Sequence, residues 1–464
     1  MMRLVLMMLL IWSTTPTLLA QPELKASEFL AWVRMHHPVM KQAALVAEKS
    51  RNDLMAAKGA FDPKLAANTS EKRYAGKNYW NTVNSYLVIP NWIGAFKAGF
   101  EQASGDYLNP QLRVPEQGLW YAGVEVPIGA GLFIDERRMQ LRQARLYVEA
   151  SEADQQKIIL TLLQEAASDY WNWYTAQEAL KYQETAYRLA EERYRFSVQL
   201  FNEGQAPALD TVEAMGNRMS RENQVIQARL DWSNARRKVS RHLWSEDGMP
   251  RELDTLLRAA SLVNEAELSQ KMRWDTLMQH AQRNHPELVK MRSQIGMLET
   301  EQRFRREMLK PELNVSYQLL SDPNAIGSPW MQQNYKWGIQ AGMPLFLRKE
   351  RGKLKGAKTM VALRNWELTD TRREIEIALQ IRLAELATLQ RLLANQRNMV
   401  ANFSSILMGE QERFRNGESS VFLLNTRETN LLQAQIKLAE MEAKFAQTIA
   451  YLYKTAGVVN WMYP

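Results

Sequence analysis

Apolar positions recur every seven residues along two very long stretches of the chain. In the first the series is Trp173, Leu180, Tyr187, Tyr194 and Phe201, and in the second Leu386, Leu393, Val400, Leu407 and Phe414. A third series, Leu424, Leu431, Leu438, Phe445 and Leu452, follows the second. A sustained seven-residue repeat keeps one helix stripe against a neighbour and imposes left-handed supercoiling. Asp135 to Glu203 contains neither Gly nor Pro over 69 residues. As one helix it would extend about 100 Å. Lys349 to Asn416 repeats the pattern with glycines but no proline. Helices of that length are not elements of an ordinary globular domain. Gly204 and Gly417 stand where a left-handed residue ends a helix, and Pro207 suits the start of the next. Each long helix is therefore expected to turn back at a tip, at 202–209 and at 415–422.

A second pattern has period two, that of strands with two different faces. It covers Leu65 to Ser70, Leu119 to Ile128, Glu312 to Leu320 and Tyr335 to Leu345. Pro63 and Pro311 end the helices that precede these runs. Aromatics cluster in them (Trp120, Tyr121, Tyr317, Tyr335, Trp337), as a membrane interface favours; a soluble sandwich would alternate in the same way. Tyr79 to Ile89, a Pro90-Asn91 turn and Ala95 to Gln102 read as a candidate further hairpin. Residues 104–118, rich in Gly, Asn and Pro, read as an exposed loop.

The two patterns occur twice in the same order, the signature of duplication. His37-Pro38 recurs as His285-Pro286, and Phe61 to Leu65 as Leu309 to Leu313, both at a shift of 248 residues. Val126-Pro127-Ile128 recurs as Met343-Pro344-Leu345 at 217, and Asn202-Glu203-Gly204 as Arg415-Asn416-Gly417 at 213. The falling shift places an insertion near residues 76–117 of the first copy. The fold expected is mainly α with β, a tandem repeat of helix, strand, strand, long helix, helix. The first repeat is expected over 21–260, with strands and loops at about 61–130 and a helical hairpin at about 135–245. The second is expected over 261–464, with strands at about 311–346 and a hairpin at about 349–456.

Four main strands per chain are too few for a membrane barrel, which takes about eight at least. An open edge in lipid would leave backbone groups unpaired. Other copies would have to complete the ring. Three copies would give twelve strands, although periodicity alone does not select three over two or four.

The N-terminus adds a destination. Arg3 precedes nine apolar residues, Leu4 to Trp12, and small or polar residues follow to Ala20. That is the layout of a signal peptide over residues 1–20, and it is too short an apolar run to span a bilayer. The absence of cysteine among 464 residues excludes disulfides, thiolate metal sites and a lipidated N-terminal Cys. The mean hydropathy of −0.41 excludes a polytopic helical membrane protein. The net charge of +8 is spread among acidic residues on helices, which reads as solvated faces and gives no nucleic-acid partner. The five histidines form no HExxH and no metal-ligand cluster. His37 and His285 are repeat-equivalent and precede proline, which points to a structural role. No phosphate loop and no grouping of nucleophile and base appears, so neither an enzyme nor a cofactor is expected.

In sum of order the chain resembles the TolC-like outer membrane efflux proteins. The residues carrying the resemblance are the N-terminal signal, Asn284 to Leu288, the strand entries at Pro63 and Pro311, Val126-Pro127-Ile128 with Met343-Pro344-Leu345, and the two hairpin tips. The resemblance implies a homotrimer whose twelve-stranded β-barrel in outer-membrane lipid continues into a periplasmic coiled-coil α-barrel. It also implies a periplasmic adaptor (a membrane fusion protein) and an inner-membrane RND or ABC transporter as partners, in a Gram-negative bacterium. The expected function is a passive exit duct for small molecules or metal ions. Protein secretion of type I through the same architecture, and a periplasmic coiled-coil scaffold, remain as alternatives.

Many relatives ring the aperture with aspartates just after the second glycine, but Leu423 and Thr426 stand there in this chain. Candidates for the aperture are instead Asp210, Glu213, Glu418 and Asn425, since ringed polar and acidic groups set charge selectivity. Acidic residues near a helix start are equally explained by the helix dipole. Gly204, Asn416 and Gly417, at the tips, are candidates for adaptor docking, beyond their part in ending helices.

Overall fold

The computed structural model describes residues 22–261, 274–323, 334–416 and 418–461. The expected signal peptide lies outside the described residues. The chain starts with a short strand β1 (Glu23–Leu24), then α1 (Ala26–His36) and α2 (Pro38–Lys58). Four strands follow: β2 (Lys64–Tyr74), β3 (Lys77–Pro90), β4 (Ala95–Ser104) and β5 (Leu119–Pro127). Next come α3 (Glu136–Asn202), α4 (Ala208–Ser240) and the short β6 (Arg258–Ala259), which pairs with β1 in parallel. The second half runs α5 (Trp274–Asn284), α6 (Pro286–Glu307), β7 (Glu312–Ser321), β8 (Tyr335–Gly342), α7 (Arg348–Arg415) and α8 (Val421–Ala456). The order helix pair, strands, long helix, helix thus occurs twice.

The His-Pro pairs explain why each repeat opens with two helices rather than one. His37 and His285 have extended backbones, and each Nδ1 accepts the N–H two residues on, from Val39 and from Glu287, at 3.2 Å in both cases. The proline then takes the first helical position, where its missing donor costs nothing.

All the longer strands form one antiparallel sheet in the order β2-β3-β4-β5-β7-β8. This corrects the expectation of four main strands. The candidate hairpin is real and lies inside the sheet, between the two strands that the duplication alone would make neighbours. Its first turn places Ala75 and Gly76 at φ of 49° and 74°, the left-handed pair that a two-residue hairpin requires. Residues 105–118 join β4 to β5 outside any strand.

The helices make a single layer. In the half next to the sheet the neighbours run α2, α3, α6, α7; in the half towards the tips they run α4, α3, α8, α7. At 67 and 68 residues, α3 and α7 run about 100 Å through both halves. The core lies where the shorter helices meet end to end against them. There Tyr170, Trp171 and Trp173 of α3 are buried with Phe29 and Leu30 of α1 and Phe445, Ile449 and Leu452 of α8. The Tyr170 hydroxyl donates to Leu24 O at 2.7 Å and to Ala260 O at 3.2 Å, fastening the β1–β6 ribbon to the belt.

Candidate functional site

The pairing register decides what each face of the sheet carries, because partners across a ladder share a face. One face collects Leu65, Leu87 and Val83, then Phe96 and Phe100, then Trp120, Val124 and Val126, and finally Val315, Tyr317, Trp337 and Ile339. The other collects Asn68, Ser70, Asn84, Lys97, Glu101, Glu125, Asn314, Gln318 and Gln340. The apolar face is open: Trp337 is 62% exposed, Ile339 59% and Trp120 50%. In water such a face would be a large uncovered patch; in lipid it is the wall of a barrel with a polar lumen. Among the described residues no helix is long and apolar enough to cross a membrane, so spanning falls to the strands.

Where sheet meets helices, the chain turns on Arg138. The side chain is 2% exposed. Its guanidinium donates to Leu132 O at 2.9 Å and to Phe133 O at 3.3 Å, and also to Gly131 O. Asp135 caps α3 by accepting the Arg138 N–H at 2.8 Å. Burial acts to raise the Asp135 pKa, but the Arg138 N–H and the two neighbouring guanidiniums outweigh it and hold the carboxyl below its ordinary range. Neither residue stood out in the sequence, although an Asp opening a long apolar-periodic run is an ordinary capping signal.

At the far end the structure places the candidates as follows. Gly204 has φ +68° and its N–H donates to Phe201 O, while the next N–H, of Gln205, reaches back to Leu200 O; this is a Schellman closure. Asn416 caps α7 through its N–H to Glu412 O and Phe414 O. Gly417 lies outside the described residues. Asp210 is half-buried in the first turn of α4, and Glu213 and Glu418 are exposed. Asn425 is not free: its Oδ1 accepts from Arg193 of α3.

That contact belongs to a network the sequence reading missed. The Arg193 guanidinium holds both carboxylate oxygens of Glu428 on α8, at 2.5 and 2.6 Å, with side chains only 10% and 13% exposed. Arg221 of α4, half-buried beside them, donates to Thr429 Oγ1 at 2.6 Å. Three helices are thereby tied close above the tips. Arg193 precedes the heptad residue Tyr194, and Glu428 follows Leu424 by four. Those flanking positions are where coiled coils carry ion pairs, and that was the available signal.

The outer margins of the helix layer are apolar. On α4, Val212, Met219 and Ile226 are exposed at seven-residue intervals; on α7, so are Leu392, Met399 and Ile406. Among the described residues no group of three or more His, Asp or Glu side chains could hold a metal ion.

Known proteins provide a frame for this arrangement. The sequence profile described as outer membrane efflux protein matches residues 33–243 and 277–458. No curated protein matches the chain. Among solved structures it is similar to the Campylobacter jejuni CmeC outer membrane channel, at 15% identity, 93% coverage of this chain, 85% of that chain and a TM-score of 0.65. It is also similar to VceC, an outer membrane protein of Vibrio cholerae, at 13% identity, 92% and 95% coverage and a TM-score of 0.63. The open state of the Neisseria gonorrhoeae MtrE outer membrane channel gives 15% identity, 93% and 88% coverage and 0.62. Identities this low carry the fold alone.

Proposed function

The chain belongs to the outer membrane efflux protein family, and from that premise we propose that three copies form the exit duct of a tripartite efflux system. The duct is passive. It takes small molecules or metal ions from an inner-membrane RND or ABC transporter through a periplasmic adaptor and releases them outside a Gram-negative cell. The observation that carries this reading is the sorting of the sheet into an apolar and a polar face, at one end of a helix layer about 100 Å long.

Association with further copies follows from the margins. A sheet of six alternating strands has edge strands that run in opposite directions. β8 of one copy can thus pair antiparallel with β2 of the next, and no edge is left in lipid. The exposed heptads of α7 and α4 lie on the corresponding margins of the helix layer and would meet in the same head-to-tail contact. In this arrangement the tips, with Gly204, Asn416 and Gly417, face the adaptor. Asp210, Glu213 and Glu418 lie at the level of the aperture, and Asn425 is held by Arg193.

The test is fractionation followed by reconstitution. The duct requires detergent for extraction, a ring-shaped particle of three copies, and conductance in a planar bilayer. Release as a soluble periplasmic monomer or dimer without conductance would overturn it in favour of a coiled-coil scaffold.

A further inference from the structure

Resting on the duct reading, we infer that the barrel wall of this protein contains six strands from each copy, closed by β8 of one copy against β2 of the next, so that three copies make eighteen strands rather than twelve. The inserted hairpin β3–β4 is membrane wall, not a surface ornament. Four observations carry this.

The first is pairing. β3 is paired along its length with β2, and β4 with both β3 and β5, in continuous register. The second is facial continuity. Val83 and Leu87 of β3 and Phe96 and Phe100 of β4 fall on the apolar face, while Asn84, Lys97 and Glu101 fall on the polar one. A hairpin lying in water above the membrane has no reason to keep that sorting in step with its neighbours.

The third is that the strands the hairpin separates are fitted to it. Tyr121 of β5 lies over Gly99 of β4, where a Cβ would come within 2.7 Å of the ring. Its hydroxyl donates to Asn84 Oδ1 on β3 at 2.9 Å. A single side chain of a duplicated strand thus spans both inserted ones. At the inner end, the turn after β3 seats Trp92 against Phe61, with ring centroids 6.2 Å apart, beneath the guanidiniums of Arg138 and Arg142 at 5.8 and 6.0 Å. The hairpin is thereby docked to the root of α3.

The fourth is girth. Strands spaced about 4.8 Å apart and tilted about 35–45° make six strands span about 35–41 Å of circumference. Four helices spaced about 8–10 Å apart span about 32–40 Å. Four strands at the same tilt would span about 25 Å, and the duct would have to narrow where it enters the membrane. With the hairpin in the wall, barrel and tunnel match in width copy by copy. Barrels of about this strand number leave an open aqueous lumen, so passage would be limited at the tips and not at the membrane.

The natural chain lacks cysteine, so single variants carry one thiol each. In whole cells, V83C and F100C are expected to react with a membrane-soluble maleimide and to resist a bulky water-soluble one. N84C and E101C should react with the water-soluble reagent through the lumen. V124C and Y317C, on strands of the duplicated framework, report on the duct reading itself. If these two resist the water-soluble reagent while V83C and F100C take it up, the hairpin lies outside the wall and the inference is overturned alone. If all four take it up, there is no membrane barrel and both readings fall. Electron microscopy of the extracted full-length particle counts the strands: eighteen supports the inference, and any other number overturns it.

Discussion

His37 and His285 hold equivalent places in the two repeats and do the same work: an unprotonated Nδ1 accepts a helix N–H. Burial comes first among the causes that lower both pKa values, to about 4. For His37 the neighbouring His242 and Arg241 push the same way. For His285, Lys157 and His280 push down while Glu287 pulls up. The folded protein therefore holds these protons less tightly than the unfolded chain, whose histidines titrate near 6.5. Stability from this source is complete above about pH 6.5, is lost as pH falls towards about 4, and changes no further below that. The double variant H37N/H285N, which caps without titrating, should have a melting temperature that depends less on pH across this window; an unchanged profile would refute the role. Arg193 supplies a second test at this scale. R193A removes paired, nearly buried hydrogen bonds to Glu428 and releases Asn425, a loss of about 1.5–3 kcal/mol per charged contact. The expected result is a leakier resting duct, read as raised conductance in bilayers and raised sensitivity of cells to large antibiotics, with the oligomer intact. These residues also mark how far the site was legible. The His-Pro pairs could be read as structural because duplication displays them twice. Arg193 and Glu428 belong to different repeats, 235 positions apart, and no local pattern joins them.

The helices and framework strands were legible because local chemistry and tertiary packing agree there. A run without Gly or Pro, an Asp cap and a seven-residue apolar stripe all ask for one long helix, and α3 runs from 136 to 202. The hairpin at 77–104 was legible as two alternating runs about a turn, but its place was not. Whether β5 pairs with β2 or with β4 depends on contacts spanning tens of residues, and Tyr121 over Gly99 becomes meaningful only once the two are adjacent. The heptads were legible on the buried side and understated on the other. Val212, Met219 and Ile226 repeat with equal regularity on α4 yet face away from their own chain. If they form the seam with α7 of the next copy, a charge there must be desolvated on assembly, which is strongly unfavourable without a partner. I226E in α4, or M399E in α7, should give folded monomers: helical circular dichroism close to that of the parent, with the light-scattering mass of a single chain. Intact rings from both variants would place the seam elsewhere.

At the scale of the molecule the question is how a structure adapted to lipid and one adapted to water behave as a single unit. Each has its own source of stability: the sheet from its apolar face and closed ladder, the helices from the aromatic belt around Tyr170 and Trp173. The link between them is short, residues 128–135, and much of it is held by one side chain. Arg138 satisfies carbonyls of Gly131, Leu132 and Phe133, pairs with Asp135, and lies under Trp92 at the inner turn of the hairpin. Replacing it by alanine leaves those carbonyls and the Asp135 carboxylate without their main partner in a buried place, a cost of about 3–5 kcal/mol by the measure of broken buried pairs. Because the loss falls on the joint and not on either core, R138A is expected to separate the two parts thermodynamically rather than unfold both. Heating the detergent-extracted ring should then give two transitions, an earlier one in helical signal and a later one in resistance of the barrel to denaturing detergent, where the parent gives one. R138K keeps the charge but not the forked geometry that reaches three carbonyls, and should fall between them. A single transition in R138A, merely shifted downwards, would mean that the barrel and tunnel are coupled through contacts between copies and not through this joint.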